Sequence, residues 1–511
     1  MKKALGGLTE APTMPFKTWA FHYRPNRILL VISAGVILTE WIIFKTLFPF
    51  PNFIPESLHY IGCAVSNRSL NVWPIAYSKF LRVFNTFSSS DTALVTFQYL
   101  FLQGSIIYFL LSVSHLLQLP RWTIRILFLL NLLNPIVLIV ANLVSSDALF
   151  IGLSLIWFTQ MLWLIRRPQL STLCLHALVL FLAFSLRFFA IYYPVVSIIL
   201  LFFLHTKLTV KMTGVMVIII PLALYIGHEV REYEVLTNTT QFSAFGGWQL
   251  SGDVLYAYAH TPLDSPSVVP AAFRPLHEVV NEYMTGSIHL QSHTDGDIGT
   301  YYQWDEQSPL KRYMRQYWLH DSTTDPFTEY AVMGKLYTGY GSWLVRRHPG
   351  SYFLYYALPN AGNYFAPEPE FMAVYNMGFD SVAPVIADWF GWKTNKVGSP
   401  NRTIGVLSAF TFIVPMVNIL FMVTLLVVIC SKGYMDSIPL LKPFLRIALI
   451  FWVINVLFSV FSSWAVLRYE IFPFIIALSF AVICVSFLVQ EFLFTEKAKA
   501  SSTAGLPGQD A

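Results

Sequence analysis

Ten long apolar runs constrain this chain more than any other feature. They lie at approximately 28–48, 94–117, 122–143, 147–165, 171–186, 188–204, 212–228, 403–431, 443–463 and 471–490. A hydrocarbon core of roughly 30 Å needs about 20 apolar residues per helix. With 55% hydrophobic and 12% charged residues spread along 511 positions, the pattern predicts an all-α polytopic membrane protein of about ten transmembrane helices. The stretch before Ile28 has Lys2 and Lys3 but no apolar core, so no cleaved signal peptide is expected. Cys63, Cys174, Cys430 and Cys484 are too scattered for a disulfide framework. The basic residues behind the formal charge of +5 are dispersed, which excludes a nucleic-acid partner.

Orientation follows from where Lys and Arg collect. With the N-terminus inside, sixteen fall in cytoplasmic segments: Lys2, Lys3, Lys17, Arg24, Arg27, Arg121, Arg125, Arg166, Arg167, Lys207, Lys211, Lys432, Lys442, Arg446, Lys497 and Lys499. Six fall in short outer segments: Lys45, Arg68, Lys79, Arg82, Arg187 and Arg468. The expected layout has a cytoplasmic N-terminus (1–27) and a first membrane module (28–228) whose outer loop spans 49–93. A large extracytoplasmic domain (229–402), the last three helices (403–490) and a cytoplasmic tail (491–511) follow. The expected location is the plasma (inner) membrane, crossed many times. The large domain carries 18 acids against 11 Lys and Arg. Its stretch 326–358, aromatic and broken by HPG, suits helices lying along the bilayer surface. The tail from Lys497 reads as disordered.

Ionisable groups at membrane depth are functional candidates, because an unpaired one is costly there. Glu40 lies in the first run. Asp147 in VSSDALF, Arg187 in SLRFFAIYYP and Arg468 in VLRYEIFP each fall at the outer end of a helix, as does Glu56 in IPESLHYIGCA. Acids and arginines from distant parts of the chain therefore converge on the outer membrane boundary, where a lipid-borne anion would be bound. Each has a structural alternative: an N-cap for Asp147, a snorkelling side chain for Arg187, pairing within the bundle for Glu40, and a first-turn acid of a short helix after Pro55 for Glu56. His59 and Tyr60 on the same short helix give Glu56 a polar face. The chain has no GxxxxGK[ST], HExxH or GxSxG motif, so nucleotide hydrolysis, zinc proteolysis and serine hydrolysis have no support. Asp295 and Asp297, with His293 nearby, read as an acidic turn around Gly296. No cofactor or metal is expected, a divalent cation at that turn being the alternative.

After a first helix, the segments PESLHYIGCA, WPIAYSKFLRVFNTF, NPIVLIVANLVSSDALFIGLSLIW, SLRFFAIYYP and VLRYEIFPFI follow in order. Together they resemble the GT-C superfamily of membrane glycosyltransferases. The chain is similar to the protein O-mannosyltransferase and lipid A aminoarabinose transferase families, and more so to the broad bacterial group using polyprenyl-phosphate sugars. The resemblance covers 28–205 and 461–475. It does not reach the large domain, where FSAFGGWQLSGDVLYAY and PNAGNYFAPEPE have no counterpart. It implies a GT-C-like fold and inverting transfer of a sugar from a polyprenyl-phosphate carrier to an extracytoplasmic glycan, lipid or protein acceptor. In that family an acid of the first outer loop is the general base, which here is Glu56. Tyr60, Asp147, Arg187, Arg468 and Tyr469 are the substrate-binding residues this implies, the arginines gripping the leaving phosphate. Two departures stand out: Glu replaces the commoner Asp, and no second acid stands beside it in sequence. A polysaccharide polymerase or ligase, or a transporter of lipid-linked glycans, is the alternative, although a transporter would place charges near the midplane and show internal repeats.

Overall fold

The structure, a computed structural model, describes residues 14–286, 298–318, 324–399, 402–430 and 438–503. All ten apolar runs are helical. Seven helices are long and apolar enough to cross a membrane: Arg24–Leu47, Asp91–Leu117, Asp147–Arg166, Leu208–Thr237, Gly405–Cys430, Leu441–Ser462 and Leu467–Phe492. Arg121–Leu132 and Pro135–Ala141 make an eighth if this pair, bent by 41°, is one span. The bend falls at Asn134-Pro135, where the Asn134 side chain accepts from Ile136 N at 3.1 Å; the residue before a proline is driven out of the helical region. Leu170–Leu186 and Phe188–Phe203 are shorter, so a count of ten requires both to be spans. They divide at Arg187, whose extended backbone (φ −148°, ψ 123°) breaks the apolar run.

Burial sorts the bundle. Asp147–Arg166 and Leu467–Phe492 are each 78% buried over their apolar windows, against 17% for Leu208–Thr237. The helices that begin with Asp147 and carry Arg468 are thus central, and those residues open into the interior of the molecule. Among the described residues there are no strands, only four isolated bridges.

Residues between Ala244 and Tyr356 build a second core, rich in buried tyrosine. Its centre is the crossing of helices Ala244–Tyr258 and Pro326–Arg347. A Cβ on Gly247 would lie 1.8 Å from the Gly334 carbonyl oxygen, and one on Gly334 would lie 2.5 Å from that of Ala244. Small residues let two helix backbones approach this closely. The amphipathic pattern of 326–358 therefore reports an internal packing face: Tyr337 and Tyr340 are fully buried. Phe353, Leu354, Tyr355 and Leu358 keep an exposed apolar surface there. Farther on, Ala357, Tyr364, Met372 and Tyr375 join the core of the membrane bundle. The last helix continues to Thr503, so the tail expected to be disordered from Lys497 is helical that far.

Candidate functional site

Two backbone stitches assemble the site. In the first, Asn52 N donates to Asn142 O at 2.8 Å and Val144 N to Asn52 O at 3.1 Å. The short helix Pro55–Ser66 follows, with proline in its first turn. The Ser57 hydroxyl accepts from Ile54 N at 3.0 Å and donates to Val144 O at 2.8 Å. Glu56 is thereby fixed beside the start of the helix that Asp147 opens. In the second stitch, Leu467 N donates to Glu368 O at 2.8 Å, which lays PEPE along the start of the last helix and sets Glu370 against Arg468.

Arg468, only 3% exposed, is the hub. Its Nη2 lies 2.6 Å from Glu56 Oε1, its Nε 3.2 Å from Glu370 Oε2 and its Nη1 3.8 Å from Asp147 Oδ2. Nη2 also donates to the Tyr469 hydroxyl at 2.8 Å. Arg187 is ion-paired with Asp147 Oδ1, and Ser145 Oγ donates to Asp147 Oδ2 at 2.7 Å. Both guanidinium carbons sit 4.8 Å from the centroid of the Tyr469 ring. Tyr60, 1% exposed, places its hydroxyl 3.3 Å from Ser146 Oγ.

This geometry decides between the alternatives left open by the sequence. Asp147 is the first helical residue after the cap position, and its carboxylate serves the arginines. Arg187 is buried and paired, so it does not snorkel. Glu56 is both a first-turn acid and a member of the buried cluster. Glu40 is half-buried away from the cluster, with Oε2 lacking a hydrogen-bond partner, and makes no ion pair among the described residues.

Glu370 is the residue that sequence reasoning missed: no second acid stands beside Glu56 in sequence, but Glu370 reaches the same arginine from a distant part of the chain. Its φ of +49° is a left-handed conformation uncommon outside glycine and asparagine. Three acids, Glu56, Asp147 and Glu370, now face two arginines, which leaves an excess negative charge in a buried place. Burial raises the Glu370 carboxyl above the ordinary Glu range, more than Arg468 lowers it. Taking up a proton there would neutralise the cluster.

The cluster forms one part of the wall of a cavity of about 570 Å³, within the range typical of small-molecule sites. Glu56, Tyr60, Arg187, Arg468 and Tyr469 line it, as does Glu370; Asp147 does not, and stands behind Arg187. Inside this wall Glu56 Oε2 and Arg468 Nη1 are buried without a hydrogen-bond partner among the described residues, while Glu370 Oε2 and Arg468 Nε meet only in their 3.2 Å ion pair. Unsatisfied buried polar atoms on a cavity wall mark where a ligand would complete the set.

Residues of the second core and its neighbours supply the rest of the wall, including Gln249, Asp253, Gln303 and Trp304. Burial pushes Asp253 from the ordinary 3.8 to about 8. Tyr256, Tyr352 and Tyr356 interact with it electrostatically and are themselves shifted upward, so they stay neutral through this range. Between about pH 4 and 8 the unfolded chain has lost this proton and the folded chain keeps it, so stability falls as pH rises and levels off above the folded value. Asp253→Asn is expected to match the parent's unfolding temperature near pH 4 and exceed it at pH 8. Parallel pH profiles for the two in thermal unfolding of detergent-solubilised protein would refute this.

Among the described residues no group of three His, Cys, Asp or Glu side chains is placed to hold a metal ion. His293, Asp295 and Asp297 lie outside the described residues. Comparison of the chain with protein-family models, with curated proteins and with solved structures gave no match.

Proposed function

We propose that this protein is an integral membrane glycosyltransferase that moves a sugar, with inversion, from a polyprenyl-phosphate carrier to an extracytoplasmic acceptor. The observation that carries this reading is a single cavity beside the membrane helices whose wall holds a carboxylate with a free oxygen, Glu56, next to two buried guanidiniums.

Transfer needs one group to accept a proton and others to hold the departing phosphate. The acceptor oxygen attacks the anomeric carbon, and the bond from that carbon to the phosphate oxygen breaks with its electron pair. The acceptor's proton passes to Glu56 Oε2. The polyprenyl phosphate departs with its added negative charge held by Arg187 and Arg468. Asp147 and Ser145 keep Arg187 in place. The 2.6 Å contact between Arg468 and Glu56 gives donor binding a second effect, because a phosphate competing for that guanidinium loosens the carboxylate for proton transfer.

Transfer of label from a panel of polyprenyl-phosphate sugars by the purified protein is the direct test. Failure to turn over any of them would sink the reading, while turnover confined to diphosphate-linked glycans would favour a polymerase or ligase. The proposed sidedness puts both termini in the cytoplasm and the cavity outside, in the plasma (inner) membrane. A reporter active only outside the cytoplasm should be active when fused after residue 300 and silent when fused at Gly433. The reverse pattern would turn the site to the wrong face of the membrane.

A further inference from the structure

The cavity has two chemically different regions. Around Arg468 it is charged. The part contributed by Trp73 and the outer domain is aromatic and amide-lined. Trp73 and Trp304 stack with centroids 5.7 Å apart and planes at 17°. Trp304 continues the stack onto Tyr330 at 6.4 Å, and Tyr330 onto Trp248 at 4.8 Å. Lys311 Nζ caps this column, 5.0 Å from Trp248 and 5.9 Å from Trp304. The two indoles are therefore held rigidly, which lowers the ordering cost of binding against them.

Beside them stand two amides and one acid. Gln249 Nε2 donates to both oxygens of Asp253, at 2.9 and 3.1 Å, which fixes the orientation of that amide. Gln303 is 2% exposed, and neither its Nε2 nor its Oε1 has a hydrogen-bond partner. Its side chain lies over Gly252, where a Cβ would come within 2.6 Å of Gln303 Cγ. A buried amide with both ends unmet is a donor and an acceptor waiting for a ligand that offers both. His59, one helical turn from Glu56, touches Trp73 with ring centroids 4.9 Å apart and so joins the two regions.

We infer that the aromatic region is an acceptor subsite for carbohydrate, in which a sugar ring packs against the cavity-facing parts of the half-buried Trp73 and Trp304 while its hydroxyls bond to Gln303 and Gln249. A pyranose has an apolar face of C–H groups and a rim of hydroxyls that donate and accept together, which is what the open carbon surface of the indoles and an unmet amide complement. A peptide backbone also offers a donor and an acceptor, but it has no C–H face rimmed by hydroxyls to lie against the indoles and meet Gln303 and Gln249 together. The inference rests on the transferase reading for the word acceptor, but its test does not depend on a donor.

Full-length protein in lipid nanodiscs is applied to an array of immobilised neutral and N-acetylated oligosaccharides, with Ser/Thr peptides as the comparison. Retention by at least one oligosaccharide class, competed by the same sugar in solution, is expected. Gln303→Ala and Trp304→Ala should each weaken that retention at least tenfold, with affinity for polyprenyl phosphate unchanged. Because the Gln303 amide has no hydrogen-bond partner among the described residues, its removal orphans nothing there, and the unfolding temperature of Gln303→Ala should stay near the parent value; Trp304→Ala is an independent variant should that one misfold. Retention by no oligosaccharide, or equal retention by both variants, overturns the subsite. Transfer to peptide or lipid without sugar retention sinks the subsite and leaves the transferase standing; sugar retention without transfer from any lipid donor does the opposite.

Discussion

Glu56→Gln is expected to slow sugar transfer by about 10²–10⁴-fold while donor affinity and folding stay near those of the parent. Glutamine keeps the volume of the side chain and an oxygen that can accept from Arg468 at the position of the present 2.6 Å contact. What it removes is the ability of the second oxygen, buried on the cavity wall and unpartnered, to take a proton. Glu370 is the informative control. It lines the same cavity and contacts the same arginine, but burial holds its carboxyl toward the protonated form, so Glu370→Gln should cost far less. Single-turnover rates with labelled donor, beside an equilibrium measurement of donor binding, separate the two effects. A stable Glu56→Gln protein with full activity would leave Glu56 as the acid of a helix start and nothing more.

The bundle was legible because about 20 apolar residues in succession report a span with little help from the rest of the chain. Even the break at Arg187 could be read, since a guanidinium in a long apolar run requires a partner. The convergence of Glu56, Asp147, Arg187 and Arg468 followed from the expected orientation alone: residues at the same end of neighbouring spans share a level. Which residue pairs with which did not follow. Asp147 looked like a helix cap because two serines precede it, and only the tertiary position of Arg187 shows that its carboxylate is engaged elsewhere. Glu370 was hidden by a different cause. It reaches Arg468 through the backbone bridge between Glu368 and Val466 and a left-handed residue, and neither feature leaves a periodic trace in sequence.

The stretch 326–358 was hard to read for a third reason. An aromatic, amphipathic helix reads the same whether its apolar face meets lipid or another helix. The glycines at 247 and 334 were the available signal, because small residues on two helices permit a close crossing. Gln303 and Asp253 gave no signal at all, as isolated polar residues in a region without a recognisable motif. The aromatic part of the cavity thus became visible only once the chain was folded.

Arg468→Lys tests the charge balance of the whole site. The guanidinium presents three nitrogens in a fixed fork, and here Nη2 faces Glu56, Nε faces Glu370 and Nη1 faces Asp147. An ammonium is a single point and cannot hold that geometry. Asp147 keeps Arg187, and Glu370 is held toward its protonated form by burial, so the ammonium would be left to serve Glu56, Tyr469 and the donor phosphate from one point. The variant is therefore expected to fold, to bind the donor phosphate more weakly, and to transfer sugar at least about 10²-fold more slowly at neutral pH. Arg468→Leu goes further. Removing one partner of a buried charge cluster costs about 3–5 kcal/mol, enough to deplete the protein from the membrane fraction. An Arg468→Lys protein with the turnover of the parent and an unchanged KM for the donor would show that Arg468 does not grip the phosphate, and the proposed chemistry would lose its leaving-group site.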